Sequence, residues 1–430
     1  MTSATNAAVE GSLPDSAPAK KVALTIGDAL RGHSNSLGFI RLVLACVVIF
    51  DHAFPLGGFG QDVLWGLSHG QASMGSIAVD GFFAISGYLI AKSAMSADVV
   101  QFMWRRFLRI FPAYWVLLVV TAFVVIPIVW VVQGNKLANY FHLGGFGPFR
   151  FVTGNWTLRI GTYGIYDVFE KTTPYGRAIH ASAVNGSIWT LIYEWNCYLL
   201  VAVLLLFGIF LRARILVPII TGFLAILQVV LVVNPSALVT LVPWASDQYT
   251  ITLTLIFMIG ACIAVYAKSI PFSHPLGILS AIIVIVTLRE GGFAEVGAPA
   301  GVYLVLYLGA ALPAPFQRVG AKNDYSYGVY IWGFLVEQTL ASAGLYKLGY
   351  FPFAIGTLIV SLGFAWLSWH IVEKRAMGLK SWGPGRGWRY WRAAVRRRET
   401  RGEKPQTPSG AGESEESAMT SSSVAIKEAK

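Results

Sequence analysis

Apolar runs of bilayer length recur along this chain, and no feature limits its fold more. About 20 consecutive apolar residues span a bilayer core as a helix. Ten such runs read at roughly 37–55, 74–93, 112–132, 188–210, 214–233, 248–267, 275–289, 299–316, 325–346 and 351–372, the seventh being short. Backbone polar groups find no water in hydrocarbon, so runs of this kind must close their own hydrogen bonds as helices. The reading is an all-α membrane protein of about ten transmembrane helices. Composition agrees, since 55% of the 430 residues are hydrophobic and 13% are charged, about half the charged share of a soluble domain.

Ten spans return both termini to one side, and the positive charges choose the side. With the N-terminus cytoplasmic, the inside segments carry Lys20, Lys21, Arg31, Lys92, Arg105, Arg106, Arg109, Arg212, Arg214, Lys268, Arg318 and Lys322, and the tail adds Arg396, Arg397 and Arg398. The outside segments carry five basic residues in one long loop, about 133–187, plus Arg289 and Lys347. Long loops weigh little in this rule, so both termini are expected in the cytoplasm. Three regions follow: a polar N-terminal segment, 1–36; a transmembrane domain, 37–375; and a basic juxtamembrane segment with a tail expected to be disordered, 376–430. No cleavable signal peptide is read in the polar, Ala/Ser/Pro-rich start. The net charge of +11 belongs to loops and tail and so reads as membrane topology, with no nucleic-acid partner. Cys46, Cys197 and Cys262 all fall in apolar runs and read as small core residues, neither disulfides nor metal ligands.

Ionisable side chains inside the spans are costly, and each is a functional hypothesis. The first span carries Arg41 near its inner end and Asp51-His52 near its outer end. The eleven residues from Arg41 to His52 make about 16 Å of helix. Asp80 in the second span and Glu194 in the fourth both lie toward the outer ends of their helices. His52, Asp80 and Glu194 are therefore expected in one layer, as a general base with an orienting carboxylate or as a structural polar network. Asp51 neighbours His52 in sequence, so it points elsewhere on the helix and is the poorer partner.

In QFMWRRFLRIFPAYW, Arg105, Arg106 and Arg109 precede the third span. Arg106 and Arg109 share a helix face, a fork suited to phosphate and equally to a snorkelling membrane anchor. Pro112 is expected at the first position of that span's helix. Late in the chain, Glu337 lies midway along the ninth span near Tyr327 and Tyr330, and His370 and Glu373 end the tenth. Glu337 is a pore-lining candidate, and Glu373 has adjacent Lys374 and Arg375 as ready partners.

Five stretches together resemble the membrane acyltransferase 3 family of bacterial O-acyltransferases over most of residues 37–375. They are IRLVLACVVIFDHAFPL with Arg41 and His52, AVDGFFAISGYLIAKS with Asp80, RRFLRIFPAYW, NGSIWTLIYEWNCYLL with Glu194, and SYGVYIWGFLVEQ. Two positions depart from the pattern: Trp332 is followed by Gly333 where many members have histidine, and Glu373 by Lys374 and Arg375 where many have proline two residues on. The resemblance implies a multi-pass protein of the bacterial inner membrane that passes an acyl group, most often acetyl, from cytoplasmic acyl-CoA to a hydroxyl of a glycan or similar acceptor. It implies His52 as base or acyl carrier, Asp80 or Glu194 orienting its ring, Arg41 or a tyrosine stabilising the oxyanion, and Arg105, Arg106 and Arg109 toward acyl-CoA, with no metal. The 133–187 loop and the surroundings of His52 are expected to select the acceptor. The rival reading is a proton-coupled transporter, which would favour paired repeats and broken helices; the sequence has neither in recognisable form.

Overall fold

Each apolar run closes into a helix. The structure, a computed structural model, describes residues 24–32, 35–141, 144–236, 242, 247–388 and 390–394. Ten long helices follow in order: α1 (Leu37–Gly57), α2 (Met74–Ala94), α3 (Val99–Val120), α4 (Leu191–Leu206), α5 (Leu216–Val233), α6 (Gln248–Val265), α7 (His274–Glu290), α8 (Ala298–Ala311), α9 (Ser326–Ser342) and α10 (Tyr350–Ser368). Among the described residues there is no strand, and eight helices are long and apolar enough to cross a membrane. The other two, α7 and α9, have 17 residues each. The described residues up to 388 form one compact unit, and the helical residues 390–394 belong to a second. The expected tail disorder, and the expectation for residues 1–23, fall outside the described residues.

The third span differs from its expected form. Helix α3 starts at Val99, not at Pro112, because Asp98 caps it by accepting from the Gln101 amide at 2.9 Å. Arg105, Arg106 and Arg109 therefore lie within the helix, and Pro112 is interior. The helix runs on through a π-helical turn, Thr121–Val125, and Ile126–Val132, for 34 residues in all. Pro127 has no N–H to give to the preceding turn, which accounts for the wider turn before it. A 34-residue helix exceeds bilayer length, so its basic N-terminal part need not be embedded.

The bundle closes on small residues. A Cβ on Gly87 of α2 would sit 2.0 Å from the Phe257 carbonyl oxygen of α6, and one on Gly260 of α6 would sit 2.4 Å from that of Ala84. Without a hydrophobic drive between helices in lipid, such backbone approach is a main source of association. Helix α9 is the central element: Ser326 to Gln338 are all buried, and it packs chiefly on α1 and α10.

The 133–187 connection packs into the core of the bundle, with Tyr140, Phe151, Leu158, Ile165, Val168 and Phe169 all buried in the same apolar cluster as the helices. Tyr114 and Tyr140 tie it to α3 by hydrogen bonds of 2.6 Å to the Asn155 and Ala122 carbonyls. Its final stretch enters the bundle: Asn185 donates to the Ile331 carbonyl at 2.9 Å, and Ser187 to that of Tyr330 at 3.1 Å. Irregular backbone is stable at that depth because α9 satisfies its polar groups.

Candidate active site

Two cavities meet inside the bundle. The larger, about 560 Å3, is lined by His52 and Asp51 of α1, Ser76, Val79 and Asp80 of α2, and residues of α5, α6 and the turn at Phe293. The smaller, about 40 Å3, is lined by Arg41, Ser86, Glu194, Ser326 and Tyr327. Val79 and Tyr330 border both. One helix, α1, thus presents Arg41 to one cavity and His52 to the other.

His52 and Asp80 share the larger cavity, as the layer argument expected. Glu194 does not join them. It lies deeper, where it accepts from the Ser86 hydroxyl at 3.4 Å and from the Tyr198 hydroxyl. Ser86 is six residues further along α2 than Asp80, about 9 Å of helix. The cause lies before α4: Asn185 and Ser187 are already buried against α9, so the helix that carries Glu194 starts below the surface. Counting residues from an assumed interface placed it too shallow.

The carboxylate beside His52 is Glu337 of α9, with its Oε2 3.8 Å from the imidazole Nδ1. Glu337 is fully buried, and neither carboxyl oxygen has a hydrogen-bond partner. A buried carboxyl without a partner is expensive. The Phe334 ring meets the imidazole edge-on, with ring centroids 5.4 Å apart. The sequence flagged Glu337 by its position in a span but held no signal that α9 lies against α1 at this level.

At the other end the arginines sit among carboxylates. Asp324, in the turn before α9, accepts from Arg41 Nη1 at 2.9 Å and from Arg109 Nη2 at 2.6 Å. Burial alone would raise the Asp324 carboxyl, but Arg41, Arg109 and the Ser326 hydroxyl and amide hold it well below the usual carboxylate range. Arg109 also lies 3.6 Å from Glu373, whose other oxygen accepts from Ser368 at 2.9 Å. Glu373 is therefore taken by Arg109 rather than by Lys374 or Arg375, because the end of α10 winds into a π-turn, Trp369–Glu373, that packs on α3. Arg106 points elsewhere, with its guanidinium 5.9 Å from the Phe102 ring and 6.0 Å from that of Tyr198. Neither Arg105 nor Arg106 forms an ion pair among the described residues. Asp324 was missed in the sequence because it lies in a turn, where a carboxylate is ordinary.

None of the described residues of 133–187 lines the His52 cavity, whose lining beyond α1 and α2 comes chiefly from α5, α6, Trp189 and the turn at Phe293. Among the described residues no three His, Cys, Asp or Glu side chains are grouped as metal ligands.

The class these features define is a multi-pass helical membrane protein with a histidine cavity at one level and an arginine–carboxylate cluster at another. The family model described as an acyltransferase domain, acyltransferase 3, matches residues 34–370, and the chain belongs to that family. It is 29% identical over 354 residues to the O-acetyl transferase of Shigella phage Sf6, covering 80% of this chain and 96% of the relative. Nodulation protein 10 of Rhizobium leguminosarum bv. viciae is 27% identical over 380 residues, covering 81% and 95%. The putative peptidoglycan O-acetyltransferase YrhL of Bacillus subtilis is 23% identical over 364 residues, covering 74% of this chain and 53% of its own length. No solved structure matches.

Proposed function

We propose that the protein is an O-acyltransferase of the bacterial inner membrane that takes an acyl group, acetyl in the first instance, from cytoplasmic acyl-CoA and delivers it to a glycan hydroxyl on the far side. The observation that carries this reading is the pair of cavities abutting at Val79 and Tyr330, with Arg41 in one and His52 in the other. The relatives named as O-acetyl transferases give the acyl group, and the one named for peptidoglycan supports a glycan acceptor.

Arg41 and Arg109 are held by Asp324, which fixes the inner ends of α1, α3 and α9 relative to one another. Arg105 and Arg106 have no carboxylate to displace, so they are the members of the motif that engage the donor's phosphates. The acyl arm runs from there past Arg41 and Ser86 toward Tyr330. His52 takes the proton of the acceptor hydroxyl as that oxygen attacks the thioester carbonyl; the tetrahedral intermediate then expels the thiolate by breaking the C–S bond, and the proton held on the imidazolium neutralises that thiolate. Glu337 faces Nδ1 across 3.8 Å and stabilises the imidazolium that forms; its unpaired oxygens gain a partner at that moment. Asp80 borders the same cavity and steers the acceptor or the ring. The tetrahedral oxyanion is met by Arg41 or by a tyrosine hydroxyl; that of Tyr330, which borders both cavities, donates to the Ser187 carbonyl at 2.6 Å and would have to turn away from it to serve.

Sealed inside-out membrane vesicles test the orientation. Labelled acetyl-CoA supplied to their outer face should enter lumenal ester, and vesicles carrying His52→Ala should incorporate none. Incorporation only in right-side-out vesicles would overturn the donor side.

A further inference from the structure

The His52 cavity has a wall that the reaction scheme does not use. Helix α5 turns Ile219, Phe223 and Ile226 outward, more than half exposed, as a lipid-facing stripe. Its inner face carries Leu224, Leu227 and Gln228, all buried. Gln228 is the one amide in an otherwise apolar span, LVPIITGFLAILQVVLVV. Its Oε1 accepts from the Thr252 hydroxyl of α6 at 2.9 Å, which fixes the amide plane. Its nitrogen makes no hydrogen bond among the described residues, and both residues line the cavity. An amide held so deep, one end fastened and the other bare, is a donor waiting for an acceptor. Trp189 lies on the same cavity, its indole against Tyr249 with ring centroids 4.5 Å apart.

The charge of the lining is one-sided. Its ionisable residues are Asp51, His52, Asp80 and Tyr249 with Tyr330, and none of the described lining residues is Lys or Arg. The sequence from 234 to 248, which closes the connection between α5 and α6, has no Lys or Arg either. A carboxylate or phosphate on the bound residue would enter beside two aspartates with no cation to meet it, a costly arrangement. Amide and hydroxyl donors beside an aromatic face suit a neutral polyol ring. A volume of about 560 Å3 lies within the roughly 300–1,000 Å3 of small-ligand sites.

We infer that Gln228, Thr252 and Trp189 form the acceptor subsite, and that it seats an uncharged sugar residue with a ring hydroxyl on the Gln228 amide. This rests on the reading of the chain as an O-acyltransferase. Gln228 is a specificity-determining residue: it binds the acceptor, while the bond that forms, acyl carbon to hydroxyl oxygen, and the thioester bond that breaks lie at His52.

The test uses the full-length chain in its own host. The chromosomal copy is deleted and restored as wild type, Gln228→Leu, Gln228→Asn or Thr252→Val, each matched for membrane protein level. Envelope and secreted glycans are then compared by two-dimensional NMR, which reads both the amount of O-acyl ester and the residue that carries it. The expected result is ester on an uncharged residue, reduced about tenfold or more by Gln228→Leu, as loss of one buried hydrogen bond implies, with partial recovery in Gln228→Asn. Ester that depends on the wild-type chain but sits on a uronate or phosphate-bearing residue would overturn the inference and leave the acyltransferase reading intact. So would wild-type ester levels in Gln228→Leu. Ester unchanged by the deletion itself would remove the acyltransferase reading, and the inference with it.

Discussion

Replacing Asp324 by asparagine should destabilise the bundle more than any other single isosteric change in the arginine–carboxylate cluster. The carboxylate bridges Arg41 at 2.9 Å and Arg109 at 2.6 Å, and the three side chains are 18%, 20% and 14% exposed in turn. Breaking a buried pair by removing one partner costs about 3–5 kcal/mol, because a charge is left without compensation. Here two guanidinium groups lose a partner. Arg109 keeps Glu373 at 3.6 Å, whereas Arg41 has no other carboxylate in ion-pair range among the described residues. Some solvent reaches the group, so the lower end, about 3 kcal/mol, is the expectation. The 14 tryptophans report unfolding by fluorescence in mixed micelles as the denaturing detergent fraction rises. A double-mutant cycle sharpens the result: Arg41→Gln with Asp324→Asn removes the orphaned charge as well as its partner, so the pair should cost about 1 kcal/mol or more less than the sum of the singles. A single mutant within about 0.5 kcal/mol of wild type, or strict additivity in the cycle, would refute the ion-pair reasoning.

Other expectations follow from the same geometry. The Asp324 carboxyl is held below its ordinary value of 3.8, so its stabilisation is complete above that value and lost only as pH falls toward the lower folded-state value. Between about pH 5 and 9 Asp324 itself should add no inflection to the stability profile, and a midpoint in that window that vanishes in Asp324→Asn would contradict this. Glu337→Gln should lower transfer by about a hundredfold or more at normal membrane level, because the imidazolium loses its carboxylate; a purely structural Glu337 would instead lower protein level and leave the pH–rate profile of the remainder unchanged. Gly87→Val forces a side chain to within 2.0 Å of the Phe257 carbonyl oxygen, so α2 and α6 must separate, and the variant should fail to accumulate in membranes as measured by a fluorescent fusion.

Much of the fold was legible because hydrocarbon permits so little. Apolar length alone identified every long helix, and ionisable residues inside those runs pointed to Arg41, His52, Asp80, Glu194 and Glu337. Depth and neighbours were less legible. Glu194 was placed too shallow because the count began at the apolar run, whereas the chain enters the bundle earlier, at Asn185 and Ser187, under cover of α9. Pro112 looked like a helix start because proline is frequent there, yet Asp98 caps the helix a full 13 residues earlier. The partners of His52 and Arg109 could not be read, since helices far apart in sequence supply them. Gln228 carries no signal in the sequence, being an amide in a greasy span; only its bond to Thr252 and its place on the cavity make it informative.

The central claim is that His52 drives acyl transfer to an external hydroxyl. The most direct test replaces the native copy by His52→Ala at wild-type membrane level and measures base-labile O-acyl groups on envelope and secreted glycans by proton NMR. The account predicts that the ester signal restored by wild type is absent with His52→Ala. An ester signal of wild-type size from the alanine variant would contradict it.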